Sequence, residues 1–227
     1  MKAKIGAWCV IGCVAVLGAC AGTVDPDVDG EEQELVDRTP DGSAHLFGEA
    51  ERMIAKGDIE GAERACLLSK DALSKEALDE DEAASAQART AFCFAEVERL
   101  SWELIALDSE DMSEIKAQLE TKVAGHRKLA ERYQQVMEMG SQEWTLASAT
   151  RVGDIFVHFA DSILASTVPP ALAEDQRVIY REQLEQLADP LYREAGTRYA
   201  KVLAKAEEDG VEGTYVDHAR SMSKQYP

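Results

Sequence analysis

From Ser43 to the C-terminus, apolar residues recur at steps of three and four, and no segment alternates with period two. That spacing puts them on one face of successive helices and leaves no strand to start a sheet. The periodicity predicts helices over about 43–56, 59–77, 83–107, 111–139, 141–166, 172–208 and 213–224. Breakers separate them: Gly57-Asp58, the acidic corner Leu78 to Glu82, Gly140, Thr167-Val168-Pro169-Pro170 and Asp209-Gly210. Asp111 or Ser109 is placed to cap the fourth helix, and acids at 79–82 favour the N-terminus of the third. Expected core stripes include Leu46, Ala50 and Met53; Ala62, Cys66, Ser69 and Leu73; and Ala86, Cys93, Val97, Leu100 and Leu104. Met112, Ile115, Leu119, Val123, Ala130, Tyr133 and Met137 continue the pattern, then Trp144, Val152, Ile155, Phe159 and Ile163. In the sixth helix Leu184, Leu187 and Leu191 precede Ala195, Tyr199 and Leu203, and Pro190 predicts a kink or brief break near Asp189. The expectation is an all-α fold.

The first twenty residues follow different rules. Met1 to Lys4 holds two lysines and no acid, and Ile5 to Gly18 is an apolar or small run of about 14 residues, of secretory length and too short to span a bilayer. It ends in Leu17-Gly18-Ala19-Cys20, which resembles the lipobox of bacterial lipoproteins. The resemblance implies a signal peptide over 1–19, cleaved after Ala19, and acylation of Cys20 with diacylglycerol and an amide-linked chain such as palmitate. Several acyl chains on one residue give stable anchoring where a single chain does not. An ordinary signal peptide or an N-terminal anchor is the plainer alternative. Ala21 in place of Asp points, by the family's sorting logic, to the outer membrane with the domain in the periplasm; the inner membrane and the cell surface stay open.

Acidic residues outnumber basic ones 43 to 24, and the formal charge of −19 becomes −21 without Lys2 and Lys4. Such a chain lacks the basic face that nucleic acid requires. Eight of the acids fall within 21–42 beside one arginine, two prolines and three glycines. That stretch cannot bury enough apolar surface to offset its ordering, so 20–42 reads as a lipidated cysteine with a flexible acidic tether, and 43–225 as the folded domain.

Cys66 and Cys93 would then be the remaining thiols, in an oxidising compartment. They are equidistant from a corner at 79–80, so an antiparallel hairpin would let them face each other and close a loop of roughly 28 residues. The alternative is two small buried residues that never meet.

Gly57-Asp58-Ile59 with Ala62 resembles the turn of a tetratricopeptide repeat. Ala50 and Met53 fall at its small and large positions, Cys66 and Ser69 at later ones, and Leu46 stands where tryptophan is common. Further along, Arg151-Val152-Gly153-Asp154-Ile155, Pro169-Pro170, Gln176, Tyr180-Arg181, Ala188-Asp189-Pro190-Leu191, Ala195, Tyr199, Ala206 and Gly210 resemble the C-terminal region of tetratricopeptide-like envelope proteins of deltaproteobacteria and gliding bacteria. Glu212-Gly213-Thr214-Tyr215 departs from that pattern. The resemblance implies an irregular solenoid of helical hairpins, a TPR-like superhelix that binds other envelope proteins or peptide segments and carries no chemistry.

Other motifs are weak. Asp154, His158 and Asp161 share a helix face at spacings that could supply metal ligands, but a solvated or core face explains them better. Ser113-Glu114-Ile115-Lys116 has the Ser-x-x-Lys form without its partner motifs. Trp102, Trp144, Tyr180 and Tyr199 lie on helices, as core or as anchors of a groove. No catalytic residue, cofactor or metal is expected. A protein–protein scaffold is the leading expectation, with an all-helical enzyme acting on peptidoglycan and a small-ligand-binding lipoprotein as alternatives. A pocket holding a carboxyl of raised pKa would favour the enzyme, and an open apolar groove the scaffold.

Overall fold

The computed structural model describes residues 42–227, so the expectations for the signal peptide, Cys20 and the tether to residue 41 lie outside it. The described residues form seven helices and no strand: α1 Gly42–Lys56, α2 Ile59–Leu73, α3 Glu80–Glu103, α4 Met112–Met137, α5 Gln142–Leu164, α6 Glu174–Asp209 and α7 Thr214–Gln225. The fold is all-α. None of these helices is long and apolar enough to cross a membrane.

The punctuation is local chemistry. Gly57 adopts φ 73°, and Asp58 caps α2 by accepting from Gly61 N at 3.0 Å. Asp79 and Glu82 form a reciprocal capping box that starts α3 at residue 80, earlier than periodicity suggested. Asp111 caps α4 by accepting from Ser113 N and Glu114 N. Gly210, at φ 66°, ends α6 in the left-handed conformation.

Each helix packs on its chain neighbour, and α1 also meets α3, α3 meets α5, and α5 meets α7. Aromatic residues are few, so much of the core is alanine: Ala50, Ala62, Ala88, Ala147, Ala160, Ala195 and Ala219 are fully enclosed. Small side chains let the helices approach closely. One apolar cluster joins α1 to α5, with Phe92, Tyr133 and Trp144 at its centre. A second joins α5, α6 and α7 through Val157, Tyr199, Val202 and Val216. Cys66 of α2 and Cys93 of α3 are joined by a disulfide, their Cα atoms 5.8 Å apart and both side chains fully buried.

Four expectations need correction. α2 stops at Leu73, not 77, because the following turn is used otherwise: Glu76 accepts from Ser43 N and from Ser43 Oγ at 2.9 Å, binding the start of α1. α3 stops at Glu103, where the chain turns to present Ile105 O to Lys122; Leu104 is consequently 74 % exposed instead of in the core. Met112 and Leu187 are also exposed, the latter because Ala188 takes the buried position beside it. Finally, α6 runs unbroken through Pro190. Pro190 and Gln186, whose carbonyl loses its partner, both lie on the solvent side, where water can replace the missing N–H.

Candidate functional site

A charged network lies inside this helical core. Glu96 of α3 is 2 % exposed, and its carboxylate is fully occupied. Tyr133 of α4 donates to Oε1 at 2.5 Å. Arg99, one turn along α3, donates to both oxygens, at 3.1 and 3.0 Å, and its other terminal nitrogen reaches Glu103. Arg151 of α5 donates to Glu96 Oε2 at 3.1 Å and to Asp154 Oδ2 at 2.8 Å. Asp154 Oδ1 then accepts from Tyr199 of α6 at 2.7 Å and lies 2.8 Å from His218 Nε2 of α7. One connected set of charges thus ties five helices together.

Its electrostatics follow from burial and pairing. Desolvation opposes charge on Arg99 and Arg151, but their carboxylate partners outweigh it and hold both guanidiniums more firmly protonated than usual. Burial likewise works against a charged Asp154, yet His218, Arg151 and Tyr199 together hold its carboxyl below the ordinary range. The Tyr133 and Tyr199 hydroxyls are pushed well up, first by burial and then by the carboxylates they face. A buried ion network of this kind gives little net stability over an apolar replacement, although removing one partner alone is costly.

The network forms the floor of a cavity of about 360 Å³ between α1 and α3, closed on the far side by α5 and α7. Glu51, Glu103 and Tyr215 stand around it, and Phe47, Ile54 and Leu100 supply apolar wall. The Tyr215 hydroxyl favours the charged form of Glu51, and Arg151 lies over the Tyr215 ring, 5.3 Å from its centre. The Glu51 carboxyl is raised, chiefly by desolvation and next by the charge on Glu96.

A second concavity, about 530 Å³, lies between α2 and α3 on the loop side of the disulfide. Leu73, Leu78, Ala91 and Phe94 line it, with Lys70 and Glu76 as charged members.

A separate polar pair lies between α4 and α5. Lys122 is fully buried; its ammonium donates to Ile105 O at 2.6 Å, lies 3.2 Å from His158 Nε2 and sits over the Trp102 ring at 4.8 Å. Burial lowers its pKa to about 8. His126, ringed by Trp102, Phe156 and Phe159, is lowered by burial to about 4.

The residues singled out from sequence are dispersed. Asp154 serves the network, His158 faces Lys122, and Asp161 accepts from Tyr192 at 2.5 Å, so the three do not converge. Among the described residues no group of three or more metal-ligating side chains gathers. Ser113 Oγ donates to Asp111 beside the α4 cap, and Lys116 pairs with Glu120 on the surface. Trp102, Trp144 and Tyr199 are core; Phe47 and Tyr215 reach the cavity instead, and Phe94 reaches the groove. Glu96 was missed, although it carried a signal: it falls in the apolar register Cys93, Val97, Leu100, where a charge is out of place.

No family profile, curated protein or solved structure matches this chain.

Proposed function

We propose that this chain is a lipid-anchored lipoprotein of the bacterial envelope whose helical domain is a protein-interaction scaffold. The observation that carries the reading is the buried Cys66–Cys93 disulfide. Stable disulfides belong to oxidising compartments. Its presence is what export through the Leu17-Gly18-Ala19-Cys20 sequence would produce. The hairpin α1–α2, turned at Gly57-Asp58 with Ala50, Ala62, Cys66 and Ser69 inside, supports a tetratricopeptide-like arrangement. The groove between α2 and α3 supports a partner that offers apolar side chains, since Leu78 and Phe94 are only partly covered there.

The test has two arms. Palmitate labelling and membrane fractionation of the wild type against Cys20→Ala should show a lipidated, membrane-bound protein and an unlabelled, released variant. A photocrosslinker at Leu78 should then yield one reproducible envelope partner in cells, and a crosslinker at exposed Glu208 should not. Equal labelling and fractionation of both proteins removes the anchor, and no site-dependent adduct removes the scaffold.

An envelope hydrolase is the second reading, favoured by the raised Glu51 carboxyl beside the cavity. Against it, the other two carboxylates lining the cavity are engaged: Glu96 is held by three donors and Glu103 by Arg99. Muropeptide release by the purified protein, abolished by Glu51→Gln, would put the hydrolase first.

A further inference from the structure

We propose that the cavity between α1 and α3 binds an organic monocation, an ammonium or guanidinium group on a small apolar body. The proposal goes beyond the scaffold reading and does not depend on the lipid anchor.

Three carboxylates and two guanidiniums line the cavity. Both guanidiniums are already engaged: Arg99 spans Glu96 and Glu103, and Arg151 spans Glu96 and Asp154. Among the described residues no cation pairs with Glu51 in this way. Glu96 and Glu143 repel its charge, and Arg151 and the Tyr215 hydroxyl only partly offset them. The balance of the lining is therefore one negative charge, placed at the α1 wall. An incoming cation would neutralise Glu51 without disturbing the floor. An anion would have to draw Arg99 or Arg151 away from buried Glu96 and would meet Glu51 unpaired, which is costly in a partly desolvated site.

The rest of the lining fits the remainder of such a ligand. Phe47, Ile54 and Leu100 offer hydrocarbon surface beside the carboxylates, and about 360 Å³ lies at the small end of ligand sites. The floor is rigid, because Glu96 is fixed by Tyr133, Arg99 and Arg151 from three helices, so the site is formed before the ligand arrives. A free amine and a basic side chain of a partner protein present the same chemistry.

The experiment is ligand-observed NMR titration of the full-length protein in detergent with phenethylammonium, with 2-phenylethanol and 3-phenylpropionate as neutral and anionic analogues. Saturable binding of the ammonium is expected, at least about tenfold tighter than either analogue. Glu51→Gln, on the exposed side of α1, should reduce it about tenfold, and Ile54→Trp, which fills the cavity, should abolish it. A blocked Phe-Lys-Phe peptide against the same peptide with norleucine separates the sources. Tighter binding of the lysine peptide than of phenethylammonium indicates a partner's basic side chain; the reverse order indicates a free amine. Equal binding of the three aromatic probes, no binding of any, or ammonium binding untouched by both variants would overturn the proposal.

Discussion

Removing the disulfide should cost the domain a measurable part of its stability. Cys66 and Cys93 are 27 positions apart, and loop-closure entropy for a loop of that size corresponds to about 3.5 kcal/mol at room temperature. Both sulfurs are fully buried, so alanine is the appropriate replacement; serine would add unpaired hydroxyls and confuse the reading. For a domain of this length, about 3.5 kcal/mol translates to a fall in Tm of roughly 7–14 °C. The assay is calorimetry of the oxidised wild type, the wild type in reductant and the Cys66→Ala/Cys93→Ala double variant, with thiol titration of the unfolded protein as the redox check. Reduced wild type and double variant should melt together, well below the oxidised protein. If all three melt within about 2 °C of one another, the cross-link does not constrain the unfolded chain and the reasoning fails.

Glu96→Ala should destabilise by about 3–5 kcal/mol in urea unfolding, because Arg99 and Arg151 would be left buried beside an empty position; a loss under 1 kcal/mol would mean that water or Glu103 compensates. Gly153→Ala places a Cβ 2.5 Å from the buried Tyr199 ring, so a loss of about 1–3 kcal/mol is expected, and the same change should cost less in a Tyr199→Leu background. His126, neutral in the fold down to about pH 4, protonates in the unfolded chain near 6.5, so stability should fall as pH drops through that window. Allowing for partial solvent access, the fall attributable to His126 is about 1–2 kcal/mol. The stability of the wild type relative to His126→Gln, read from urea midpoints, should therefore fall on acidification, and a constant difference between pH 7 and 4.5 would refute the assignment.

Helix positions were legible because their signals are local. Asp58, Asp79, Asp111, Gly57 and Gly210 act within a turn of where they stand, and the apolar register of α5 survives in Val152, Ile155, Phe159 and Ile163, all buried. Errors arose where a distant contact decided the outcome. Leu104 sits outside because Lys122, 18 positions on, draws the backbone of Ile105 away from the helix. Pro190 left α6 intact because its face turned out to be solvent, a fact set by how α6 lies on α5. The charged floor of the cavity is nonlocal in the same sense: Glu96, Tyr133, Arg151 and Asp154 meet from three helices, with Tyr199 and His218 added from two more. Arg151, Gly153, Asp154 and Tyr199 stood out in the sequence as parts of a motif, but only the packing reveals that Gly153 lacks a Cβ so that the ring bonded to Asp154 can pass.

The position of the Cys66–Cys93 bond also sets a mechanical route through the molecule. A pull on the backbone ahead of Gly42 enters through α1 and travels along α2 to Cys66. There the covalent bridge hands the load to Cys93, midway along α3, and from that point it continues toward α4. The stretch from residue 67 to 92, which contributes every wall of the α2–α3 groove except Cys93's neighbour Phe94, lies on a closed loop outside the loaded path. Tension at the N-terminus can unravel α1 and the first half of α2 while residues 67–92, which carry most of the groove, stay off the covalent load path.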